Sequence, residues 1–108
     1  MPEALRKVRH TVFFWLNEPG SEAHRKRLIR GIRSLGEIDV VCSLDIGIPA
    51  GTEARDVVDR SFDVCEMMTF DSLADQKTYQ DHPLHRQFVA ECGELWARVV
   101  VYDTADVA

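Results

Sequence analysis

Tyr79, His82 and His85 crowd around Pro83 within the segment Leu73 to His85. Histidine titrates near neutral pH and a phenol donates a hydrogen bond. Together they can polarise a carbonyl oxygen and remove a proton from the carbon beside it, with no cofactor. That chemistry requires both side chains to reach one pocket, so it depends on the elements that carry them. His82 precedes proline, where the backbone is driven away from helix, and reads as a turn or cap residue.

The 108 residues fit one domain, residues 1–108, with no room for a second. Apolar residues are 45% and charged residues 29%, values that allow a core. A domain of this size buries only a modest fraction of its surface, and pairing with another chain would add to it. The net charge of -5 argues against nucleic acid or an anionic membrane as partner, since either needs a basic face. The run Arg25-Lys26-Arg27 with Arg30 and Arg33 reads as the solvated side of a helix. No stretch approaches the roughly 18 apolar residues of a membrane span, and the first residues lack a signal-peptide core, so a cytoplasmic location is expected. Cys42, Cys65 and Cys92 are far apart with no CxxC spacing, and are expected to be reduced, buried and apolar in character. His82 and His85 have only Asp81 as a nearby carboxylate, too few ligands for a metal site, and no phosphate loop, GxSxG or HExxH is present. The expectation is no metal and no cofactor.

Val8 to Leu16 is β-branched and aromatic and ends at Asn17-Glu18-Pro19-Gly20, a strand followed by a turn. Its even positions, His10, Val12 and Phe14 among them, share one face, while Phe13 and Trp15 put bulk on the other. Ser21 is a plausible cap for a helix whose Leu28, Ile29, Ile32 and Leu35 lie on one side, with Gly36 as its stop. Alternation from Ile38 to Ile48 predicts a second strand. Pro49 to Arg60 reads as an exposed loop with a short helical turn around Ala54 to Val58. Phe62 to Phe70 is a third strand, apolar on both faces apart from Asp63 and Glu66. Ser72 and Asp75 have capping-box spacing ahead of a helical region kinked or broken at His82-Pro83, and Ala97 to Tyr102 closes the series as a strand.

The order strand, helix, strand, strand, helix, strand predicts an α+β ferredoxin-like βαββαβ sandwich: a four-stranded antiparallel sheet with two helices on one face. The other face would be too apolar to remain in water, and a second copy related by a two-fold axis would cover it. A cavity or a core would then lie between the two sheets.

At about 100° per residue, Leu84, Phe88, Val89, Cys92, Leu95 and Trp96 fall in one arc with His85 near its middle, so His85 faces inward. An inward histidine is either a core imidazole bonded to a carbonyl or a general base lining a pocket. Tyr79 cannot be placed by periodicity across the break, and a core tyrosine is its default reading. His10 is a second inward candidate; His24 lies in a charged stretch and reads as exposed.

These residues resemble a known family, the stress-responsive dimeric α/β-barrel proteins (Dabb). The likeness rests on His10-Thr-Val-Phe-Phe-Trp15, Phe70-Asp-Ser72, Tyr79-Gln-Asp-His82-Pro-Leu-His85-Arg-Gln-Phe88 and Val99-Val-Val-Tyr-Asp103, and spans about residues 8–104. It implies a homodimer whose sheets close into a barrel. Most members have no assigned reaction; some are stress-induced plant proteins and one is a cofactor-free polyketide cyclase. By that likeness His85 would be the base, Tyr79 would orient or polarise a carbonyl, and His10, Val12, Phe14 and Phe88 would line the ligand site. The third strand, Val64-Cys-Glu-Met-Met68, departs from that cyclase.

Two function classes follow. One is a dimeric barrel that binds a small apolar or polyketide-like molecule between its sheets and acts on it by proton transfer from His85, as a cyclase, lyase or isomerase. The other is a non-enzymatic stress or structural protein whose barrel is filled by Phe14, Trp15, Met67 and Met68.

Overall fold

The computed structural model describes residues 2–107. Seven elements follow in chain order: β1 (Val8–Leu16), α1 (Glu22–Ser34), β2 (Ser43–Gly47), β3 (Val64–Phe70), α2 (Leu73–Asp81), α3 (Pro83–Cys92) and β4 (Trp96–Ala105). The strands form one antiparallel sheet in the order β2-β3-β1-β4, the expected ferredoxin-like arrangement. β1 is central because both its faces carry bulk: Val8, His10, Val12, Phe14 and Leu16 are buried, and the intervening Thr11, Phe13 and Trp15 are half-buried.

The caps act where the local chemistry calls for them. The Ser21 hydroxyl accepts from the His24 amide and starts α1. The Ser72 hydroxyl does the same for the Asp75 amide in α2. The helical region breaks at His82, whose backbone is extended ahead of Pro83 and whose Nδ1 accepts from the Leu84 amide at 3.0 Å. His82 therefore spends its ring capping α3.

Several boundaries differ from the sequence expectation. The second strand begins at Ser43, because the Ile38 amide bonds to the Leu35 carbonyl and the Val41 amide to the Ile38 carbonyl; those groups are taken up in turns. Gly36 lies in a 3-10 turn, Leu35–Glu37, and is no left-handed cap; among the described residues the positive-φ glycine is Gly20. The stretch from Ala54 to Val58 has one turn, closed by the Val58 amide on the Arg55 carbonyl, and no helix. β4 runs on to Ala105 because β1 pairs with it as far as Val8. Of the cysteines only Cys92 is buried; Cys65 is half-buried and Cys42 exposed, since each sits where its strand or loop position puts it rather than where its hydrophobicity favours.

Leu28, Ile32 and Leu35 of the first helical region have no exposed surface, and pack with Val64, Met68 and Phe70 of β3. Each such side chain contributes about 1.5–3 kcal/mol by leaving water. The helices cover the face that carries the even residues of β1. Parity divides the residues proposed to fill a barrel: Phe14 and Met68 belong to the sheet–helix core, whereas Trp15 and Met67 lie on the uncovered face. There Phe13 packs edge-on to Phe62 and Tyr102, and Arg98 stacks over Trp15 at 4.4 Å. Met67 and Tyr102 keep 44% and 62% of their surface exposed.

This uncovered face predicts a dimer. Sedimentation at micromolar concentration is expected to show a particle of twice the 12.3 kDa chain, and Met67→Asp with Tyr102→Asp to shift it to the single-chain mass. Gly31 sets the approach of α1 to α3: a Cβ there would stand 2.7 Å from Cys92 Sγ and 3.1 Å from Phe88. Gly31→Val is therefore expected to cost about 1–3 kcal/mol in urea unfolding, despite removing a helix-interior glycine.

Candidate functional site

The inward row of the sheet can be read across the strands. Met68, His10 and Asp103 lie side by side on β3, β1 and β4; then Glu66, Val12 and Val101; then Val64, Phe14 and Val99. α3 lays His85 and Phe88 over this surface, and the result is a groove of about 210 Å³ lined by residues that include His10, Val12, Phe14, Glu66, His85, Phe88 and Asp103. It lies between helices and sheet within one chain. The sequence predicts a core or a cavity between two sheets, on the opposite face. The difference arises because the even residues of β1 face the helices, and His85, on the inner side of α3, can only meet that same face.

The groove has two chemical ends. At one, Phe14, Phe88 and Trp96 form an aromatic cluster, with Phe14 and Trp96 centroids 5.1 Å apart and Phe88 and Trp96 5.6 Å apart. At the other, His10 Nδ1 lies 2.5 Å from Asp103 Oδ1. A carboxylate only accepts, so that nitrogen donates.

Tyr79 connects the polar groups from below. Its ring is fully buried, 5.7 Å from His10, 5.0 Å from His85 and 5.2 Å from Phe70, edge-on to both imidazoles. Its hydroxyl is buried without a partner. Burial, with the charge of a nearby ionised Glu66 second, pushes the phenol far above its ordinary value, so it remains a donor. Burial chiefly, and electrostatic interaction with His10 after it, lowers His85, which is neutral and able to accept a proton at pH 7. His85 is half-buried between Tyr79 and Phe88.

All six residues singled out from sequence thus converge: His85, His10, Val12, Phe14 and Phe88 line the groove, and Tyr79 backs it. Sequence reasoning missed two contributors. Asp103 sits at the end of an exposed edge strand, and only the β1–β4 register brings it to His10. Glu66 carried a legible signal, a carboxylate at an inward position between Val64 and Met68 of an otherwise apolar face. It is 2% exposed, and its Oε2 has no partner. Burial raises it to about 8, so it is a neutral acid at pH 7. Among the described residues no group of three or more histidine, cysteine, aspartate or glutamate side chains is arranged to hold a metal, and no helix is long and apolar enough to cross a membrane.

Folding carries Glu66 from about 4.5 to about 8, so between those values the folded chain holds a proton that the unfolded chain releases. Stability is then greatest below the lower value and falls as pH rises toward the upper one, by at most about 1.4 kcal/mol per pH unit. Glu66→Gln is expected to abolish that decline: urea unfolding would show it more stable than the wild type near pH 8 and close to it near pH 5.

A hydroxynitrile lyase from Passiflora edulis superposes with a TM-score of 0.80 at 23% identity, over 95% of this chain and 95% of that one. A Dabb family protein with a ferredoxin-like fold from Mesorhizobium loti gives 0.78 at 22% identity, over 95% and 99%. A dimeric ferredoxin-like protein of unknown function from Thermobifida fusca gives 0.74 at 23% identity, over 93% and 91%. At these identities the likeness is one of fold. No curated protein sequence matches the chain. The family model of the stress responsive A/B barrel domain, Dabb, matches residues 8–106, and the chain belongs to that family.

Proposed function

We propose that this chain is a homodimeric Dabb protein that binds a small, largely apolar carbonyl compound in the groove and moves a proton on it, with no cofactor. The observation that carries this reading is His85: a neutral imidazole at the polar end of a groove whose other end is aromatic. The aromatic end accepts the apolar part of a ligand, and that placement brings the carbonyl and its neighbouring carbon to His85, Glu66 and His10. At about 210 Å³ the groove is below the roughly 300–1,000 Å³ of drug-sized ligand sites, which favours a compact ligand.

In this reading His85 takes the proton from the carbon beside the carbonyl. The C–H electron pair becomes the new C=C bond, and the carbonyl π pair moves onto oxygen, giving an enolate. Burial makes His85 a weaker base than a free imidazole, but keeps it unprotonated and ready. Tyr79, buried behind the groove, positions the His85 ring. The Asp103 carboxylate holds His10 in one orientation. Polyketide cyclisation begins with the same abstraction, and a lyase runs related proton transfers. That one protein of this fold is a hydroxynitrile lyase supports an enzymatic role.

The test is deuterium exchange at the benzylic carbon of 1-phenylpropan-2-one in heavy water, followed by proton NMR. The wild type is expected to accelerate exchange over buffer. His85→Gln, still dimeric, is expected to lose about 10²-fold or more of that acceleration. Retention of full activity by His85→Gln would remove His85 as the base; loss in His10→Gln alone would move that role to the His10–Asp103 pair.

A further inference from the structure

Glu66 occupies the central strand β3 at a position where the sheet faces the helices, opposite Val12 of β1 and Ile46 of β2. Apolar groups surround most of it, yet it lines the groove. A buried polar atom without a partner is uncommon and destabilising, and needs a reason. Among the described residues no lysine or arginine lines the groove beside it. The titratable groups around the site are His10 from β1, Tyr79 from α2, His85 from α3 and Asp103 from β4. None of these neutralises a carboxylate there: Tyr79 does not ionise, His85 is neutral, and His10 is bonded to Asp103.

We propose that Glu66 is a binding residue that donates a carboxylic-acid hydrogen bond to the carbonyl oxygen of an uncharged ligand, and that the groove thereby selects neutral carbonyl compounds over carboxylates. This rests on the ligand class proposed above and assigns its recognition. The terminal torsion of glutamate is broad, so either oxygen can present the proton to the groove. The acid remains protonated at neutral pH because burial holds it so. A ligand carbonyl supplies the acceptor that the folded chain does not. An anionic ligand would add its own charge to a site with no lysine or arginine, and would lose its hydration without an ion partner. As His85 draws a proton from carbon, negative charge grows on the carbonyl oxygen. A donor already placed there strengthens its hold as the charge develops.

Binding and protonation are read separately from turnover. Infrared difference spectra between wild type and Glu66→Gln at pH 7 are expected to show the carbonyl stretch of a protonated carboxyl; an ionised carboxylate in its place overturns the proposal. Titration of the wild-type dimer with 1-phenylpropan-2-one and with phenylacetate, followed by NMR shifts, is expected to show binding of the ketone and none of the carboxylate. Glu66→Leu is expected to weaken ketone binding roughly tenfold. Glu66→Gln, which keeps a donor, is expected to stay within about threefold of wild type, and to hold its affinity above about pH 8 where the wild type loses it. Ketone binding that survives unchanged in Glu66→Leu, or phenylacetate binding as tightly as the ketone, overturns the proposal while leaving the ligand reading intact. Failure of the wild type to bind the ketone at all overturns both. Removing a buried, unpaired acid leaves the fold intact or firmer, so both variants are expected to remain dimeric.

Discussion

Burial of the Tyr79 ring is the contact on which the site depends. The ring comes from α2, packs on Phe70 at the end of β3, and stands edge-on to His10 of β1 and His85 of α3. One side chain thereby sets the spacing of two imidazoles carried by elements far apart in sequence. Aromatic edge contacts of this kind add about 0.5–1.5 kcal/mol to the burial of apolar area, and are directional, so they hold ring orientation as well as distance. The break at His82 makes this geometry available. With its ring capping α3, His82 lets α2 and α3 meet at an angle that a continuous helix would not allow, and Tyr79 and His85 approach from either side of the bend.

Electrostatics follow from the same packing. Four ionisable groups, Glu66, Tyr79, His10 and His85, are gathered in or directly behind the groove, and among the described residues no lysine or arginine lines it with them. Low local polarity pushes each group that has no partner toward its neutral form, so Glu66 keeps its proton and His85 lacks one. An acid and a base that would exchange a proton in water thus stand together in the complementary states that proton transfer requires. Only His10 has a carboxylate partner, and that partner, Asp103, is half in solvent on the edge strand.

Much of the fold is legible in local pattern. The capping serines Ser21 and Ser72, the proline after His82, and the alternation in Val8–Leu16 are short-range signals whose outcome depends on backbone hydrogen bonds within a few residues. The start of β2 is not legible in this way. Alternation continues through Ile38 to Cys42, yet turns take up the Ile38 and Val41 amides before the Cys42 amide reaches the Thr69 carbonyl of β3, because the chain must first leave α1 and reach the sheet edge. The inward placement of His85 follows from helical period. The partnership of His10 with Asp103 does not, since it rests on strand register that pairs two residues 93 positions apart.

The sequence by itself determined the element order, the break before Pro83, and the residue types that could carry proton chemistry. These depend on side-chain periodicity and on proline's effect on its neighbour, which are properties of the chain a few residues at a time. Tertiary structure decided which face those residues share and what ionisation states they hold. The even residues of β1 turned toward the helices, so the groove formed inside one chain, and a glutamate that looked like an exception in a strand became a neutral acid facing it. Ionisation depends on how far water is excluded from every side, and that is set only when strands, helices and their register come together.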